Sequence, residues 1–238
     1  MELINNYEKR KNDIESFYEI LCFIDKVETH KNRPLIDAND KNNNIIISRD
    51  MQKCMRAETF IILYNAIEST INNCIRLIYD AIQDENLKYV DLSKSLRKIW
   101  IKTHYDGNVL KDDKLCEIAF KIAEDSINSQ ICINNLPNTS GNLDLRKIIF
   151  ISKLFEINLG KIPNYSRTSE ILLSIKNKRN DLAHGNKSFS EIGALVTIND
   201  IKEAKDTVII FLNHVINIYQ KYVNKKLYKK NPDNKYKK

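Results

Sequence analysis

The stretch FIILYNAIESTINNCIRLI, residues 60–78, decides the fold class of this chain. Its apolar residues recur every three or four positions, which is the period of a helix with one buried face. The pattern extends on both sides without glycine or proline, so it predicts one long helix from about Asp50 to Gln83. The apolar positions of this helix are Met55, Phe60, Leu63, Ile67, Ile71, Cys74, Ile75 and Ile78.

The composition of the whole chain agrees with a helical fold. Of 238 residues, 42% are apolar and 29% are charged, which is typical of a globular protein and argues against a disordered one. Only 5 glycines and 4 prolines are present. β-Sandwiches, β-barrels and glycine-lined nucleotide loops all need such turn residues, so their scarcity disfavours these classes. We therefore predict an all-α protein, built as a single helical bundle.

Periodicity and turn residues give the organisation of this bundle. We predict one helical domain over residues 1–224, with an N-terminal helix over 7–29 and a loop over 31–48, followed by a basic flexible tail over 225–238. Residues 45–47 are either a buried connector or a strand fragment. Further helices are expected at about Asp91–Thr103, Asp112–Ser129, Leu143–Ile157 and Thr168–His184, and from Thr197 or Asn199 onward. Gly185 is expected to end the Thr168–His184 helix in the left-handed conformation.

Charge and cysteine content indicate the environment of the protein. With 38 Lys and Arg against 31 Asp and Glu, the formal charge is +7, a modest basic excess. The five cysteines show no CxxC spacing and cannot all pair, so they are expected to be reduced, buried thiols. The polar N-terminus does not resemble a signal peptide, and no apolar run approaches the ~18 residues of a membrane span. These features predict a cytoplasmic protein without membrane contact.

The residues most informative about function lie in ILLSIKNKRNDLAHG, residues 171–185. On a helix, Ile171, Leu172, Ile175, Leu182 and Ala183 form an apolar stripe. Arg179 falls near the middle of this stripe. Because a buried arginine is costly unless it is paired, this position suggests a protein partner group or a ligand anion. Asn180 and His184 are four residues apart and share a neighbouring face. One helix end thus offers a cation, an amide and an imidazole.

Residues 179–184 resemble the Arg-polar-x-x-x-His motif of the HEPN family. The longer text of residues 176–185 is similar to compact, stand-alone HEPN-like ribonucleases of prokaryotes, many of them predicted toxins. The stretch 60–78, with Tyr64, Glu68 and Asn72 at successive four-residue steps, resembles the long second helix of this family. Residues 141–148 and 163–170 add to the likeness, which covers roughly residues 50–212.

The resemblance implies a metal-independent endoribonuclease that uses no cofactor. In such an enzyme the RNA 2′-OH attacks the adjacent phosphorus and leaves a 2′,3′-cyclic phosphate. His184 would transfer a proton, since imidazole titrates near neutrality, and Arg179 would stabilise the developing charge on the phosphate. Asn180 would orient the imidazole or a phosphate oxygen. Tyr64, Glu68 and Asn72 are implied as supporting residues.

The resemblance also implies an assembly and a biological role. Two protomers would place their motifs face to face, so the partner is a second copy and the active site is composite. RNA is the implied substrate. A toxin or an antiphage-defence effector is the implied role, with an antitoxin or a defence protein as a further partner.

Other interpretations of these residues stay open. Arg179 could pair with Glu68 while His184 interacts with the last carbonyls of the helix, a purely structural arrangement. Arg97 and His104 also match the motif spacing, but Lys98 replaces the polar neighbour and residues 99–101 resemble core, so we interpret this match as a decoy. His30 and His214 are expected to have no catalytic role.

Three functions therefore compete. The leading hypothesis is the endoribonuclease. The second is a catalytically silent HEPN module that binds RNA, a nucleotide or a partner protein, and the third is a helical interaction protein unrelated to nucleic acids. The tail lysines interleave with Tyr222, Tyr228 and Tyr236, which suits weak RNA attachment, although such charge runs more often serve solubility.

Overall fold

The structure of the protein, a computed structural model, describes residues 2–27, 34–36, 44–104, 112–128 and 142–230. Within these residues the chain forms eight α-helices, one antiparallel pair of short strands and a 3-10 turn at Tyr89–Asp91. The helices are α1 (Glu2–Asp25), α2 (Arg49–Asp84), α3 (Lys94–His104), α4 (Asp112–Asn128), α5 (Leu145–Leu154), α6 (Tyr165–Ala183), α7 (Phe189–Ala194) and α8 (Ile198–Asn224). The predicted all-α fold is confirmed.

The two strands lie between α1 and α2. β1 (Pro34–Ile36) pairs with β2 (Asn44–Ile46), with Leu35 opposite Ile45. Ile45 and Ile46 are exposed, whereas Ile47, just after the strand, is buried. Both alternatives for residues 45–47 therefore hold in part, because the strand fragment passes directly into a buried connector.

The chain divides into two compact units, of which the first comprises residues 1–70, 141–145 and 163–212. In this unit, α2 fastens the end of α1. The Gln52 amide donates hydrogen bonds to the carbonyls of Ile24 (2.9 Å) and Val27 (3.0 Å), which closes the carbonyl end of α1. Arg56 pairs with Asp25 and also donates to the Val196 carbonyl at 3.2 Å. One side chain of α2 therefore joins two other segments of the unit.

Helix α7 approaches α2 unusually closely. Gly193 lies on α7, and a Cβ atom built at this position would stand 1.8 Å from the carbonyl oxygen of Lys53. Because that oxygen belongs to the backbone of α2, no side-chain movement can make room. The contact therefore requires glycine at position 193.

The second unit comprises residues 71–140, 146–162 and 213–238. Its described core contains an aromatic pair, Tyr79 and Phe155, whose ring centroids are 6.0 Å apart. The hydroxyls of Ser152 and Tyr219 are hydrogen-bonded at 3.0 Å. The His214 imidazole lies 2.7 Å from the Leu159 carbonyl oxygen, which gives it a structural contact.

The predicted flexible tail from residue 225 is folded as far as Lys230. Tyr228 is buried, its hydroxyl donates to Glu85 at 2.7 Å, and its carbonyl accepts from the Ser93 N–H at 2.8 Å. Lys226 and Lys229 pair with the same Glu85 carboxylate. Buried tyrosines at 222 and 228 are not available for stacking on RNA bases. Tyr236 and the last lysines lie outside the described residues.

The first helix is displaced from its predicted range, and one helix was not predicted. α1 begins at Glu2 and ends at Asp25, so it is shifted towards the N-terminus. Leu3 and Tyr7 are buried there, although most of the residues next to them in the sequence are polar. α7 was not expected. It starts at a capping box in which the Ser188 hydroxyl and the Glu191 carboxylate bond to each other's backbone N–H.

Candidate active site

Helix α6 carries the motif, and its buried face fixes the direction of the functional side chains. Ile171, Leu172, Ile175 and Leu182 are buried, as the predicted stripe requires. Ala183 is exposed, because it lies at the edge of this stripe in the last helical turn. Arg179, one turn after Ile175, is left half-buried at the margin of the core.

Arg179 is held by neutral groups. Its guanidinium carbon lies 4.6 Å from the centre of the Tyr64 ring on α2, a cation–π contact. Its Nη1 donates to the side-chain oxygen of Asn180 at 3.1 Å. These two contacts of Arg179 are with an aromatic ring and an amide, and neither partner is a carboxylate. The guanidinium is therefore positioned by groups that carry no charge of their own.

Residues 142–144 connect this helix to Tyr64, and we refer to them as the anchored segment. The backbone N–H of Leu143 donates to the Tyr64 hydroxyl at 3.1 Å. Asp144 pairs with Lys176 of α6 at 3.1 Å, and Asn142 accepts from the Asn180 amide at 3.5 Å. All three residues of the segment thus contact α2 or α6.

The hydroxyl of Tyr64 acts in this network as a neutral acceptor. The side chain is fully buried, and this burial raises the pKa of Tyr64 above its ordinary value. The negative charge of Glu68, one turn further on α2, also raises the pKa of Tyr64, whereas Arg179 lowers it. Of the other predicted supporting residues, Asn72 lies on α2 two turns after Tyr64, in the second unit.

His184 closes α6. It is the C-cap residue, with φ −95° and ψ 0°, and its backbone N–H bonds to the Asn180 carbonyl at 3.0 Å. Gly185 follows with φ +68°, as predicted, and the N–H of Asn186 returns to the Asp181 carbonyl at 2.9 Å. This is a Schellman ending. The imidazole is exposed and forms no hydrogen bond within the described part of the chain, so it is accessible to a ligand.

The site described here is polar and has no evident metal ligands. Among the described residues, no group of three or more His, Cys, Asp or Glu side chains could hold a metal ion. The structure brings Tyr64, Arg179 and Asn180 into direct contact and places His184 one turn beyond Asn180. Asn142, Asp144 and Lys176 were not predicted as site residues, since their contacts join positions far apart in the sequence.

The second motif match has a different setting. Arg97 lies on α3 in the second unit, with its guanidinium carbon 5.7 Å from the centre of the Tyr89 ring. Trp100, between the two matched residues, is buried. The side chain of His104 lies outside the described residues.

The cysteines that the structure describes have no direct part in this site. Cys22, Cys54 and Cys74 are free, and burial raises the pKa of Cys74. The side chains of Cys116 and Cys132 lie outside the described residues. In the portion of the chain that the structure describes, every helix is too short or too polar to cross a membrane.

Comparison with known families decides the relationship. The model of the MAE_28990-like HEPN family matches residues 1–228. The chain belongs to this family. No curated protein and no solved structure matches the chain. The HEPN match includes α1 and residues 225–228, which the resemblance seen in the sequence did not cover. Membership of the HEPN family suggests a nuclease or RNA-binding module.

Proposed function

We propose that the protein is a metal-independent endoribonuclease whose active site comprises Arg179, Asn180 and His184. The observation that carries this proposal is the state of Arg179. Its guanidinium is held by the Tyr64 ring and the Asn180 amide, which are both neutral groups. A positioned cation and an exposed imidazole at the same end of one helix suit a phosphodiester.

The proposed chemistry assigns one role to each group. The His184 imidazole takes the proton from the 2′-OH or supplies one to the departing 5′ oxygen. The 2′ oxygen then forms a bond to phosphorus, the bond to the 5′ oxygen breaks, and the 3′ fragment leaves with a 5′-OH. Arg179 stabilises the charge on the non-bridging oxygens as the phosphorane forms. The other fragment ends in a 2′,3′-cyclic phosphate.

The site is proposed to be completed by a second copy of the chain. His184 is exposed at the end of α6, so a two-fold axis near this end would bring two sets of Arg179 and His184 together. We expect light scattering at micromolar concentration to give the mass of a homodimer. A monomer at that concentration, or a dimer in which the two motifs face away from each other, would contradict this arrangement.

The decisive experiment is cleavage of tRNA, mRNA and rRNA in excess EDTA, followed by end-group analysis. We expect fragments with cyclic phosphate ends from the wild-type protein. His184→Ala and Arg179→Ala should each lose about 10²–10⁴-fold in rate while their circular dichroism stays helical. His104→Ala is the matched control and should cleave normally. A His184→Ala variant with the wild-type rate would rule out the mechanism.

The proposed biological role is that of a toxin or an antiphage-defence effector, restrained by an antitoxin or a defence partner. Expression of the wild-type chain in cells should arrest growth, and His184→Ala should not. If the protein is instead a catalytically silent HEPN module, it should bind RNA or another partner without producing RNA fragments. Expression of the wild-type chain should then not arrest growth.

A further inference from the structure

One line of side chains on α6 leads away from His184. Leu173, Asn177, Asn180 and His184 follow each other at spacings of four, three and four residues, which aligns them along one side of the helix. Asn177 lies two turns before His184, or about 10 Å along the helix axis. A ligand held at His184 can therefore extend along α6 as far as Asn177.

A groove lies beside this line, between α6 and α7. Its volume is about 500 Å³, and its lining includes Leu173, Asn177, Ile192 and Leu195. Ile192 is buried and forms part of the floor, whereas Leu195 is 67% exposed. Asn177 is exposed, and its amide forms no hydrogen bond within the described residues. The groove thus offers apolar surface and one exposed amide that can exchange water for a ligand.

The charges around this groove compensate each other. Glu170 and Asp181 line it together with Lys178 and Lys187, and Lys187 pairs with Asp181 at 3.5 Å. A phosphate gains little from such a balanced set. A flat, neutral ring with hydrogen-bonding groups on its edge fits better, because its faces can cover the leucines while its edge meets the amide of Asn177. Nucleobases have this chemistry, and unstacked bases are what proteins recognise in single-stranded RNA.

We propose that this groove binds the nucleobase next to the cleaved phosphodiester and that Asn177 reads its edge. The inference rests on the proposed ribonuclease function and adds a substrate class, single-stranded RNA with a preferred base at one position. Asn177 is a specificity-determining residue here, and the apolar groove supplies affinity.

The test is cleavage of a random-sequence single-stranded RNA pool by the full-length protein, with sequencing of the fragment ends. Wild-type protein should prefer certain bases at a position adjoining the cut. Asn177→Ala should reduce this preference roughly ten-fold at that position alone, since one set of base-edge contacts is lost. Asn177→Asp, which can only accept hydrogen bonds, should shift the preference towards bases that donate. Leu195→Ala should raise KM for all sequences and leave kcat nearly unchanged.

Asn217→Ala, at an exposed position of α8, is the matched control and should keep the wild-type preference. If the wild-type protein cleaves RNA and the Asn177 variants keep its base preference, or if it has no preference, the inference is wrong and the proposed function stands. If the groove variants instead change the mass in light scattering, the groove is a protein interface and the inference is also wrong. If the wild-type protein cleaves no RNA, the proposed function fails and the inference falls with it.

Discussion

Tyr64 is the residue on which the position of Arg179 depends. Its ring lies under the guanidinium, and its hydroxyl binds the backbone of the anchored segment. Tyr64→Leu removes both contacts, so Arg179 should lose its orientation and kcat for RNA cleavage should fall roughly 10- to 100-fold, with a smaller change in KM. Steady-state cleavage of one labelled RNA measures both constants.

Tyr64→Phe separates the two roles of this side chain. It keeps the ring and leaves the buried Leu143 N–H without its acceptor, which should cost about 1–3 kcal/mol of stability and change kcat less than about three-fold. Urea unfolding measures the stability. A Tyr64→Leu variant with wild-type kcat would show that Arg179 needs no aromatic support.

At the residue scale, the relative positions of the residues within α6 could be predicted from the sequence. The contacts between segments that are far apart in the chain could not. Helix geometry alone places Asn180 one turn from His184. It also predicts Arg179 near the middle of the apolar stripe, whereas the folded chain leaves this residue half-buried at the margin of the core. The contact of Tyr64 with Leu143, by contrast, joins residues 79 positions apart in the chain. No periodicity encodes such a pairing, so Asn142, Asp144 and Lys176 became visible only in the folded chain.

At the scale of elements, the contact between α7 and α2 gives the sharpest prediction. Gly193→Ala forces a methyl group against the Lys53 carbonyl, so the helices must separate. We expect a loss of about 1–3 kcal/mol or more in the free energy of unfolding. Ala194→Gly, at the exposed neighbouring position, should cost at most about 1 kcal/mol. Equal unfolding midpoints for the two variants would show that α7 can move without loss.

Long helices were easier to predict from the sequence than short ones. α2 and α8 are long and periodic, and α8 starts at a capping box in which Asp200 accepts from the Thr197 N–H at 2.8 Å. α7 has only six residues, too few for a period to show. The only sequence feature that indicates a helix start here is the Ser188–Glu191 capping box. The apolar residues around it show no helical period.

On the scale of the whole molecule, the C-terminal segment belongs to the folded protein. A chain ending at residue 230 should unfold at the wild-type urea concentration. A chain ending at residue 224 loses the buried Tyr228 and its hydrogen bond to Glu85, so it should unfold at a lower urea concentration. The sequence did not predict that this segment is folded, because its lysine-rich composition resembles that of a solvated chain end. Equal midpoints for the two shortened chains would mean that the segment contributes nothing.

Glu85 makes this segment sensitive to acid. Contacts with Lys229, then Tyr228 and Lys226, lower the pKa of Glu85 from its ordinary 4.5 to about 2. Since the folded value is the lower one, the stabilisation is complete above pH 4.5 and is lost as the pH falls towards 2. Wild-type protein and Glu85→Gln should therefore differ in urea midpoint at pH 7 and converge near pH 2. Asp84→Asn, which changes an exposed neighbour without an ion pair among the described residues, should match the wild-type protein throughout. A constant difference between wild type and Glu85→Gln from pH 7 to 2 would contradict this.

The close approach at Gly193 also has a consequence for how this family diverges. Selection can exchange most side chains around α7 by small steps, but every mutation at position 193 meets the Lys53 backbone at once. We expect descendants of this chain to keep glycine there as strictly as they keep Arg179 and His184. Position 193 would then be invariant for a reason unconnected with RNA, so a search for catalytic residues by invariance alone would select it wrongly.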